Sequence, residues 1–239
     1  MDIEKLCELQ KEKYNSLTLS DFANNKDMRN SCKFHCKSTQ YAYNELKSRF
    51  CTKIKDFISE PIVLGASISP SDYDENGEYY YLSMATVKNW HFNKEDALTV
   101  SQEYQKSNIS KYIQKNDIII TRSGVAIGKV ALIQDDIDAI FADFTMRIRL
   151  KNYNHLFAYY YFRSAFFQEL IHTHKKGLQN KNIFPVQIQE FPIPDIGLEE
   201  QQKIVDEIQS KINEQNKIKN KIEELRNSID KIIEEAIKS

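Results

Sequence analysis

The amino-acid sequence predicts a mixed α/β (α+β) domain followed by one long C-terminal helix. Strand-like and helix-like segments alternate between residues 53 and 196, which is typical of a domain that packs helices on a sheet. From Leu198 to Ser239 there is no Gly or Pro, and apolar residues recur at steps of four and three, as in a coiled coil. We therefore expect three segments: a helical and looped lead-in (1–52), the mixed domain (53–196) and a long dimerisation or spacer helix (197–239).

The composition bounds the class of protein. A chain of 239 residues can bury a sizeable core, and 13 Tyr with 13 Phe supply apolar material for it. Only 6 Gly and 5 Pro argue against an all-β sandwich with many tight turns. No stretch approaches the ~18 uninterrupted apolar residues of a membrane span, and the charged N-terminus lacks an apolar signal core. We expect a cytoplasmic protein with no membrane partner, whose cysteines stay reduced.

The lead-in is polar and helix-like. We predict one short helix over residues 2–14 and a second over residues 39–50, where Tyr43, Leu46 and Phe50 share one face. Residues 20–30 are rich in Asn and Asp, which predicts a loop between the two helices.

The mixed domain contains four predicted strands and one predicted aromatic helix. The strands cover residues 79–84, 118–120, 129–133 and 144–150, and the helix covers residues 155–172. The last strand alternates apolar and polar side chains, which predicts one buried face and one face in water. The polar face consists of Thr145, Arg147, Arg149 and Lys151.

The C-terminal helix carries a heptad seam over nearly five heptads. The seam consists of Ile204, Ile208, Ile218, Ile222, Leu225, Ile229, Ile232 and Ala236, with Lys211 and Gln215 as polar interruptions. At 1.5 Å per residue the segment makes a rod of roughly 60 Å. A single helix with such a seam is not stable alone in water, so it needs a partner helix from this chain or from another.

Charge is distributed unevenly along the chain. The net charge of −1 excludes a strongly basic protein. From Thr145 to Lys181, however, seven basic residues face one acidic residue, whereas from Asp195 onward eight basic residues face eleven acidic ones. A basic middle and a slightly acidic tail are typical of a chain that contacts phosphate with one part and protein with another. A solvated surface of Lys and Arg is the plainer alternative.

The sequence offers no catalytic motif. Gly124, Gly128 and Lys129 are spaced almost as in a phosphate-binding loop, but the spacing is one residue short, and Val130 stands where Ser or Thr would hold magnesium. We interpret this segment as a turn between strands. Because a cofactor fingerprint and a carboxylate cluster for a nuclease are also missing, we expect a non-catalytic chain without a cofactor of its own.

A metal site is not expected either. Cys32, His35 and Cys36 lie close together in the sequence, but tetrahedral zinc needs two close pairs and this region offers one.

The stretch from His172 to Ile183 is the better candidate for a binding site. It follows the aromatic helix and is rich in Lys, Gln and Asn. Lysine binds phosphate, and Gln and Asn can pair bidentately with adenine in the major groove of DNA. The candidates are Lys175, Lys176, Gln179, Asn180, Lys181 and Asn182. An ordinary polar loop would have the same composition.

Three motifs, in order along the chain, resemble those of the specificity subunits of type I restriction–modification systems. Residues 115–133 resemble the family's strand–turn–strand motif, residues 177–183 its glycine loop, and residues 191–205 its hinge into a long helix. Residues 80–82 also fit an early Tyr-containing strand of the family. The resemblance covers residues 53–239.

The sequence departs from the family's pattern at several positions. Asn116 replaces a Gly of the strand–turn–strand motif, Leu178 replaces a Ser of the glycine loop, and Asp195 replaces a Pro of the hinge. The family's subunits also usually carry two recognition domains and two long helices, whereas this chain has one of each.

The resemblance implies a target-recognition domain with a mixed, curled β-sheet that reads double-stranded DNA. It also implies two protein partners: a methyltransferase subunit that binds S-adenosylmethionine and methylates adenine, and a restriction (motor) subunit that cleaves unmodified DNA. The long helices would separate two half-sites by a fixed distance. A chain with one domain would restore the pair as a homodimer and read a split palindromic site.

We expect DNA contacts from the loop residues named above and from the turn residues Arg122, Ser123 and Lys129. Tyr80 and Tyr81 are further candidates, of which one must face the core. The expected dimer contacts are Ile204, Ile208, Ile218, Ile222, Leu225, Ile229 and Ile232.

Two other hypotheses remain open from sequence. The chain would be the recognition part of a fused methyltransferase or nuclease, in which case it binds DNA weakly and does not dimerise. Alternatively it would be a coiled-coil interaction protein without a DNA role, in which case Lys175, Lys176 and Lys181 can be changed to Glu without consequence.

Overall fold

The computed structural model describes residues 1–12, 18, 34–83, 85–88, 91–92, 94–176 and 181–238. The chain divides into two compact units, Met1–Asp195 and Ile196–Ser239. The predicted division into segments 1–52, 53–196 and 197–239 stays a prediction.

The first unit mixes helices and strands, and the α+β class is thereby confirmed. The helices described in it are α1 (Ile3–Lys11), α2 (Lys37–Arg49), α3 (Gln102–Ser107), α4 (His155–Arg163), α5 (Ala165–His174) and α6 (Pro185–Ile188). The strands described in it are β1 (Val63–Leu64), β2 (Tyr79–Leu82), β3 (Val87–Lys88), β4 (His91–Phe92), β5 (Leu98–Val100), β6 (Ile118–Thr121), β7 (Val130–Leu132), β8 (Ala139–Phe141) and β9 (Thr145–Ile148). The second unit contains α7 (Leu198–Lys238).

The strands of the described residues form two main sheets. One has the order β1-β9-β6-β7 and is antiparallel throughout. The other has the order β5-β2-β8 and is mixed, because β2 runs antiparallel to β5 and parallel to β8. Leu82 and Phe141 of one sheet share a buried cluster with Ile119 and Ala131 of the other, so the two sheets are joined by one apolar core.

Strand β6 lies inside the four-stranded sheet between β7 and β9. All of its side chains, from Ile118 to Thr121, are fully buried. A strand buried on both faces has apolar side chains in succession, and here the apolar run ends in a turn. The prediction of β6 from this pattern is therefore correct.

The prediction of a wet face on β9 is wrong. Thr145 is fully buried, and Arg147 is only 5% exposed. Arg147 Nη2 donates to a carboxylate oxygen of Glu60 at 2.6 Å, and its Nη1 donates to the backbone carbonyl of Tyr112. The segments that carry Glu60 and Tyr112 therefore cover this face, and its polar residues make ion pairs and hydrogen bonds instead of facing water.

Asp117 and Arg149 form a bidentate ion pair beside the start of β6. Arg149 Nε and Nη2 donate to the two carboxylate oxygens of Asp117 at 2.6 and 2.7 Å, and the Asp117 side chain is fully buried. Hydrogen bonding to Asp117 holds the pKa of Arg149 above its ordinary value. Asn116, just before this pair, has φ 73°, a left-handed conformation that Asn tolerates better than most residues. Asn116 therefore fits a position where the family usually has Gly.

The predicted aromatic helix is two helices. Ser164 separates α4 from α5, because its backbone is extended and its hydroxyl accepts from Phe167 N at 3.3 Å as an N-cap. The aromatic rings nevertheless pack as one group: Phe162 stacks on Phe167 at 4.6 Å between centroids, and Phe167 contacts Phe191 edge-on.

The lead-in helices α1 and α2 pack against α5. Glu169 of α5 is buried, and its carboxylate accepts from Gln10 Nε2, Ser38 Oγ and Thr39 Oγ1 at 2.8, 2.9 and 3.0 Å. One carboxylate thus joins three helices. The predicted loop over residues 20–30 lies outside the described residues.

Helix α7 has 41 residues, and the long helix is confirmed. The residues of its seam beyond Gln215 are exposed, from 45% at Ile222 to 66% at Ile232. Ile204 and Ile208 are only partly exposed. Among the described residues, no helix combines the length and apolar character that a membrane crossing requires.

We expect Asp117→Asn to lower the free energy of unfolding by roughly 3 kcal/mol, because the pair lies at a buried site and Arg149 loses its main counter-ion. Urea unfolding followed by circular dichroism measures this change. Asp136→Asn alters an exposed carboxylate and is the matched control, expected to stay within about 0.5 kcal/mol of the wild type. Equal losses in the two variants would contradict a structural role for the Asp117–Arg149 pair.

Candidate nucleic-acid interface

The turn between β6 and β7 covers residues 122–129, and backbone amides of the turn donate hydrogen bonds to carbonyls within it or next to it. Gly128 N donates to the carbonyl of Thr121 at 2.9 Å, and Lys129 N donates to the carbonyl of Ala126 at 3.0 Å. Gly124 and Gly128 have φ 72° and 88°, values that glycine adopts without strain. The turn between strands is as predicted, and because these amides are engaged inside the turn they are not free to surround a phosphate.

Helix α5 fixes the orientation of this turn. Gln168 Nε2 donates to the carbonyl of Gly128 at 2.9 Å. A Cβ at Gly128 would lie 2.8 Å from Gln168 Oε1 and 2.9 Å from Ile171 Cγ2, closer than packed atoms tolerate. Gly128 is therefore required both by its backbone conformation and by the close approach of α5.

The turn and the Lys-rich loop, which the sequence presents 59 residues apart, meet in the structure. Ser123 and Asn182 form an antiparallel bridge, and the Ser123 hydroxyl donates to Asn182 Oδ1. Ile183 N donates to the carbonyl of Arg122 at 3.0 Å. Lys176 and Asn182 exchange two backbone hydrogen bonds of 2.7 Å, which close the loop at its base. The two expected DNA surfaces are thus one continuous surface.

Lysines gather on this surface. Burial and the charge of Lys181 lower the pKa of Lys175 below its ordinary value, and the charge of Glu169 opposes this shift. Lys175 Nζ also lies 2.8 Å from His172 Nδ1, and Lys176 is exposed. No carboxylate within the described ranges forms an ion pair with these three lysines. We call Arg122, Lys175, Lys176 and Lys181 the basic surface.

Arg122 differs from the other arginines that the structure describes. Those bind a carboxylate or hydroxyl of the protein: Arg49 binds Glu45, Arg147 and Arg149 bind Glu60, Arg163 binds Tyr159 and Arg226 binds Glu223. Arg122 has no such partner, and its buried Nε has no hydrogen-bond acceptor. Its guanidinium carbon lies 5.7 Å from the ring centroid of Phe184. A guanidinium that no carboxylate or hydroxyl of the described residues engages is available for a ligand.

Sequence reasoning missed the exposed apolar side chains of Val125, Phe144 and Phe184. Phe144 is 49% exposed and Phe184 38% exposed, and Val125 is fully exposed at the tip of the turn. The carbonyl of Phe144 accepts from Arg122 N at 2.8 Å. The alternation of β9 had placed Phe144 on the buried face, but the strand begins one residue later. The one available signal was the position of Phe184 directly after the candidate loop.

The remaining predicted site residues are placed as follows. Gln179 and Asn180 lie outside the described residues. Ser123 is buried, and Lys129 closes the turn at its β7 end. Tyr81 is the tyrosine that faces the core: it is buried, its hydroxyl donates to the carbonyl of Ala66 at 2.7 Å, and desolvation raises its pKa. Of the two tyrosines, burial excludes Tyr81 from contact with DNA and leaves Tyr80 to be considered.

Tyr80 has surroundings that do not favour phosphate. The ammonium of Lys94 lies 4.7 Å from the centre of its ring. The adjacent cavity, of about 550 Å³, is lined by carboxylates. These are Glu78, Asp135, Asp136 and Asp138. Since this cavity repels a polyanion, Tyr80 does not extend the basic surface.

A metal site finds no support in the described part of the chain. No group of three His, Cys, Asp or Glu side chains there has the geometry to hold an ion. Cys7 and Cys51 are free thiols, and Cys32 lies outside the described residues.

Comparison with known proteins gives the family. Residues 51–226 match the family model described as "Type I restriction modification DNA specificity domain". The chain belongs to this family, and the resemblance read from its motifs is confirmed. No curated protein matches the chain.

Solved structures share the fold at low identity. A chain of a type I restriction–modification complex is 15% identical, with a TM-score of 0.52, over 88% of this chain and 51% of its own. The type IIG restriction endonuclease BpuSI is 12% identical, with a TM-score of 0.53, over 73% of this chain and 28% of its own. A type I system S subunit from M. genitalium is 20% identical, with a TM-score of 0.48, over 66% and 37%. This chain spans about half or less of the length of each.

We expect Gly128→Ala to destabilise the protein by roughly 2 kcal/mol, because the methyl group meets Gln168 and Ile171 and φ is positive. Thermal unfolding should show a Tm about 4–8 °C lower. Gly197→Ala is the control, since a Cβ at Gly197 meets no atom within 4 Å. An unchanged Tm for Gly128→Ala would show that the turn is not held by α5.

Proposed function

We propose that this chain is the DNA-recognition subunit of a type I restriction–modification system and has no active site of its own. The observation that carries the proposal is the meeting of the turn and the loop at Ser123 and Asn182, which gathers Arg122 and three lysines, none of which forms an ion pair with a carboxylate of the described residues. Membership of the specificity-domain family gives the class of ligand, double-stranded DNA. The protein would act in the cytoplasm.

The basic surface combines the two kinds of contact that sequence recognition needs. Ammonium groups such as those of Lys175, Lys176 and Lys181 bind phosphates and position the protein on the duplex. A hydrogen-bonding side chain such as that of Arg122 reads base edges. A surface with both kinds can bind any duplex weakly and one sequence more tightly.

Catalysis would belong to partner subunits. We infer a methyltransferase subunit that binds S-adenosylmethionine and methylates adenine in the target, and a restriction subunit that drives and cleaves unmodified DNA. The recognition chain would bring both to one bipartite site. This inference rests on the family's type I systems and on the motifs of residues 115–133 and 191–205.

The exposed seam of α7 supports a homodimer. Five isoleucine and leucine side chains in water along one helix face are unfavourable, and pairing two helices removes them from water. These are Ile218, Ile222, Leu225, Ile229 and Ile232. Lys211 and Gln215 interrupt the seam before them, so the strongest pairing involves the C-terminal half of the helix.

The charges that flank the seam favour an antiparallel pair. In an antiparallel pair, the two helices can be aligned so that Ile222 of one copy lies opposite Ile232 of the other. Every layer of the seam from 218 to 236 is then apolar. In the same alignment Lys221 of each copy lies opposite Glu235 of the other, which gives two favourable charge pairs. The one unfavourable contact is Arg226 with its own copy. In a parallel pair Lys221 faces Arg226 twice. The two-fold axis of an antiparallel pair places the two recognition domains in opposite orientations. Two domains in opposite orientations suit a split palindromic site, whose two halves also run in opposite directions.

The DNA role is tested by replacing Lys175, Lys176 and Lys181 together with Gln. We expect weaker binding to any duplex, and a slope of log K against log salt that is shallower by up to about 2.7, since each lost phosphate contact removes about 0.9. Fluorescence anisotropy over a salt series measures both. The matched control changes Lys106, Lys111 and Lys115 to Gln on the same unit. If both variants lose the same slope, the basic surface is not the DNA surface.

The dimer is tested by light scattering. The wild type should have the mass of two chains, and Ile222→Lys with Ile229→Lys should have the mass of one. The control, Glu223→Lys with Asp230→Lys, adds the same residue type on the outer face and should remain dimeric.

The direction of the two helices is tested by exchanging one charge pair. Lys221→Glu should weaken the dimer roughly tenfold. Adding Glu235→Lys should restore the dimer if the helices are antiparallel, and should not restore it if they are parallel. A monomeric wild type would contradict the dimer.

One alternative has a specific observation in its favour. The fold matches 28% of BpuSI, a restriction endonuclease, so a recognition domain of this kind also occurs within a longer enzyme chain. If this chain is the recognition part of a fused enzyme, light scattering gives a monomer and binding to DNA is weak.

A further inference from the structure

The backbone of Arg122 is fixed on both sides. Its N–H donates to the carbonyl of Phe144 at 2.8 Å, and its carbonyl accepts from Ile183 N at 3.0 Å. The residue directly follows the fully buried Thr121, so its Cα cannot shift without disturbing the core. Arg122 therefore emerges from a rigid point of the fold, which is the condition for reading a single base pair.

The ring of Phe184 fixes the side chain of Arg122. The guanidinium carbon lies 5.7 Å from the ring centroid, within the range of a cation–π contact. The backbone of Phe184 is itself held, because Phe184 N donates to Gln187 Oε1 at 3.0 Å and Gln187 Nε2 donates to the carbonyl of His174 at 2.8 Å. With its Nε buried, the guanidinium can present its terminal nitrogens to a ligand.

The surroundings of this guanidinium favour a base edge over a phosphate. Phosphate is strongly hydrated, and Lys175, Lys176 and Lys181 already provide flexible cations for it. Phe184, whose ring the Arg122 guanidinium approaches, is exposed, and so are Phe144, whose carbonyl accepts from Arg122 N, and Val125, three residues along the same turn. Exposed apolar side chains of this kind suit contact with bases. The base edge that matches two parallel N–H groups is that of guanine, through O6 and N7.

We propose that Arg122 reads a guanine in the major groove and that Phe184 is the positioning residue that holds it in place. This proposal rests on the proposed function, DNA recognition by the basic surface. It assigns the preference for one base pair of the target to a residue pair, and it gives Phe184 a role that the sequence motifs do not contain.

The first experiment selects bound duplexes from a random library with the full chain. The wild type should enrich a sequence with a constant guanine. Arg122→Lys keeps the charge but loses the planar donor pair, and should reduce the preference for that guanine roughly tenfold or more while other positions stay selected. Arg163→Lys, at an arginine bound to Tyr159, is the control and should leave the enriched sequence unchanged.

Phe184 is tested by loss and rescue. Phe184→Leu removes the aromatic face and should weaken the same guanine preference, whereas Phe184→Tyr keeps a ring and should retain it. The thermal midpoint of each variant is measured alongside. If Phe184→Leu does not fold, Phe184→Tyr and Arg122→Lys still decide the question. A purely structural role for Phe184 would lower all preferences together.

The second experiment replaces that guanine with 7-deazaguanine, which lacks the N7 acceptor. Wild-type affinity should fall roughly tenfold, and the affinity of Arg122→Lys, already reduced, should change little, because the two changes remove one contact. Equal, additive losses would show that Arg122 binds a phosphate, and would overturn the proposal while DNA recognition stands. A wild type that enriches no sequence would overturn both.

Discussion

Strand β6 is the constraint on which the rest of the structure depends. Its side chains are fully buried on both faces, and moving it would expose three isoleucines, each of which contributes about 1.5–3 kcal/mol of burial. Asp117 stands directly before the strand and Arg122 directly after it. Within the described residues, the first pairs with Arg149 inside the fold, and the second has no carboxylate partner. One short strand thus connects the Asp117–Arg149 ion pair to the surface proposed to read DNA.

The partners of the arginines show why a count of charges was a poor guide to the interface. The basic stretch from Thr145 to Lys181 includes Arg147 and Arg149, whose charges are neutralised by Glu60 and Asp117. Arg122, which is free of such partners, lies outside that stretch. What identifies a binding cation is the absence of a carboxylate near it, and that is a property of the folded chain.

Local patterns predicted the parts of the fold that depend on neighbours in sequence. The apolar run of β6, the glycine turn and the absence of breakers in α7 each have a local cause, and each was located. The prediction of a solvent-exposed face on β9 was wrong because Glu60, which is 87 residues away in the sequence, binds Arg147 on that face. The single aromatic helix became two because the N-cap at Ser164 prevailed over a continuous aromatic pattern. Two features could not be predicted because they depend on tertiary contacts, which the periodicity of the sequence does not reveal. These are the junction of Ser123 with Asn182 and the exposure of Phe144 and Phe184.

The junction between turn and loop is built largely from main-chain atoms. The Arg122 carbonyl accepts from Ile183, and Lys176 and Asn182 exchange backbone bonds, whatever side chains these positions carry. Substitutions of the Lys176 and Lys181 side chains would therefore alter how strongly the surface attracts a polyanion while leaving the scaffold intact. A lineage that carries this fold can vary the side chains of this surface one residue at a time, because each intermediate sequence keeps the backbone bonds that shape it.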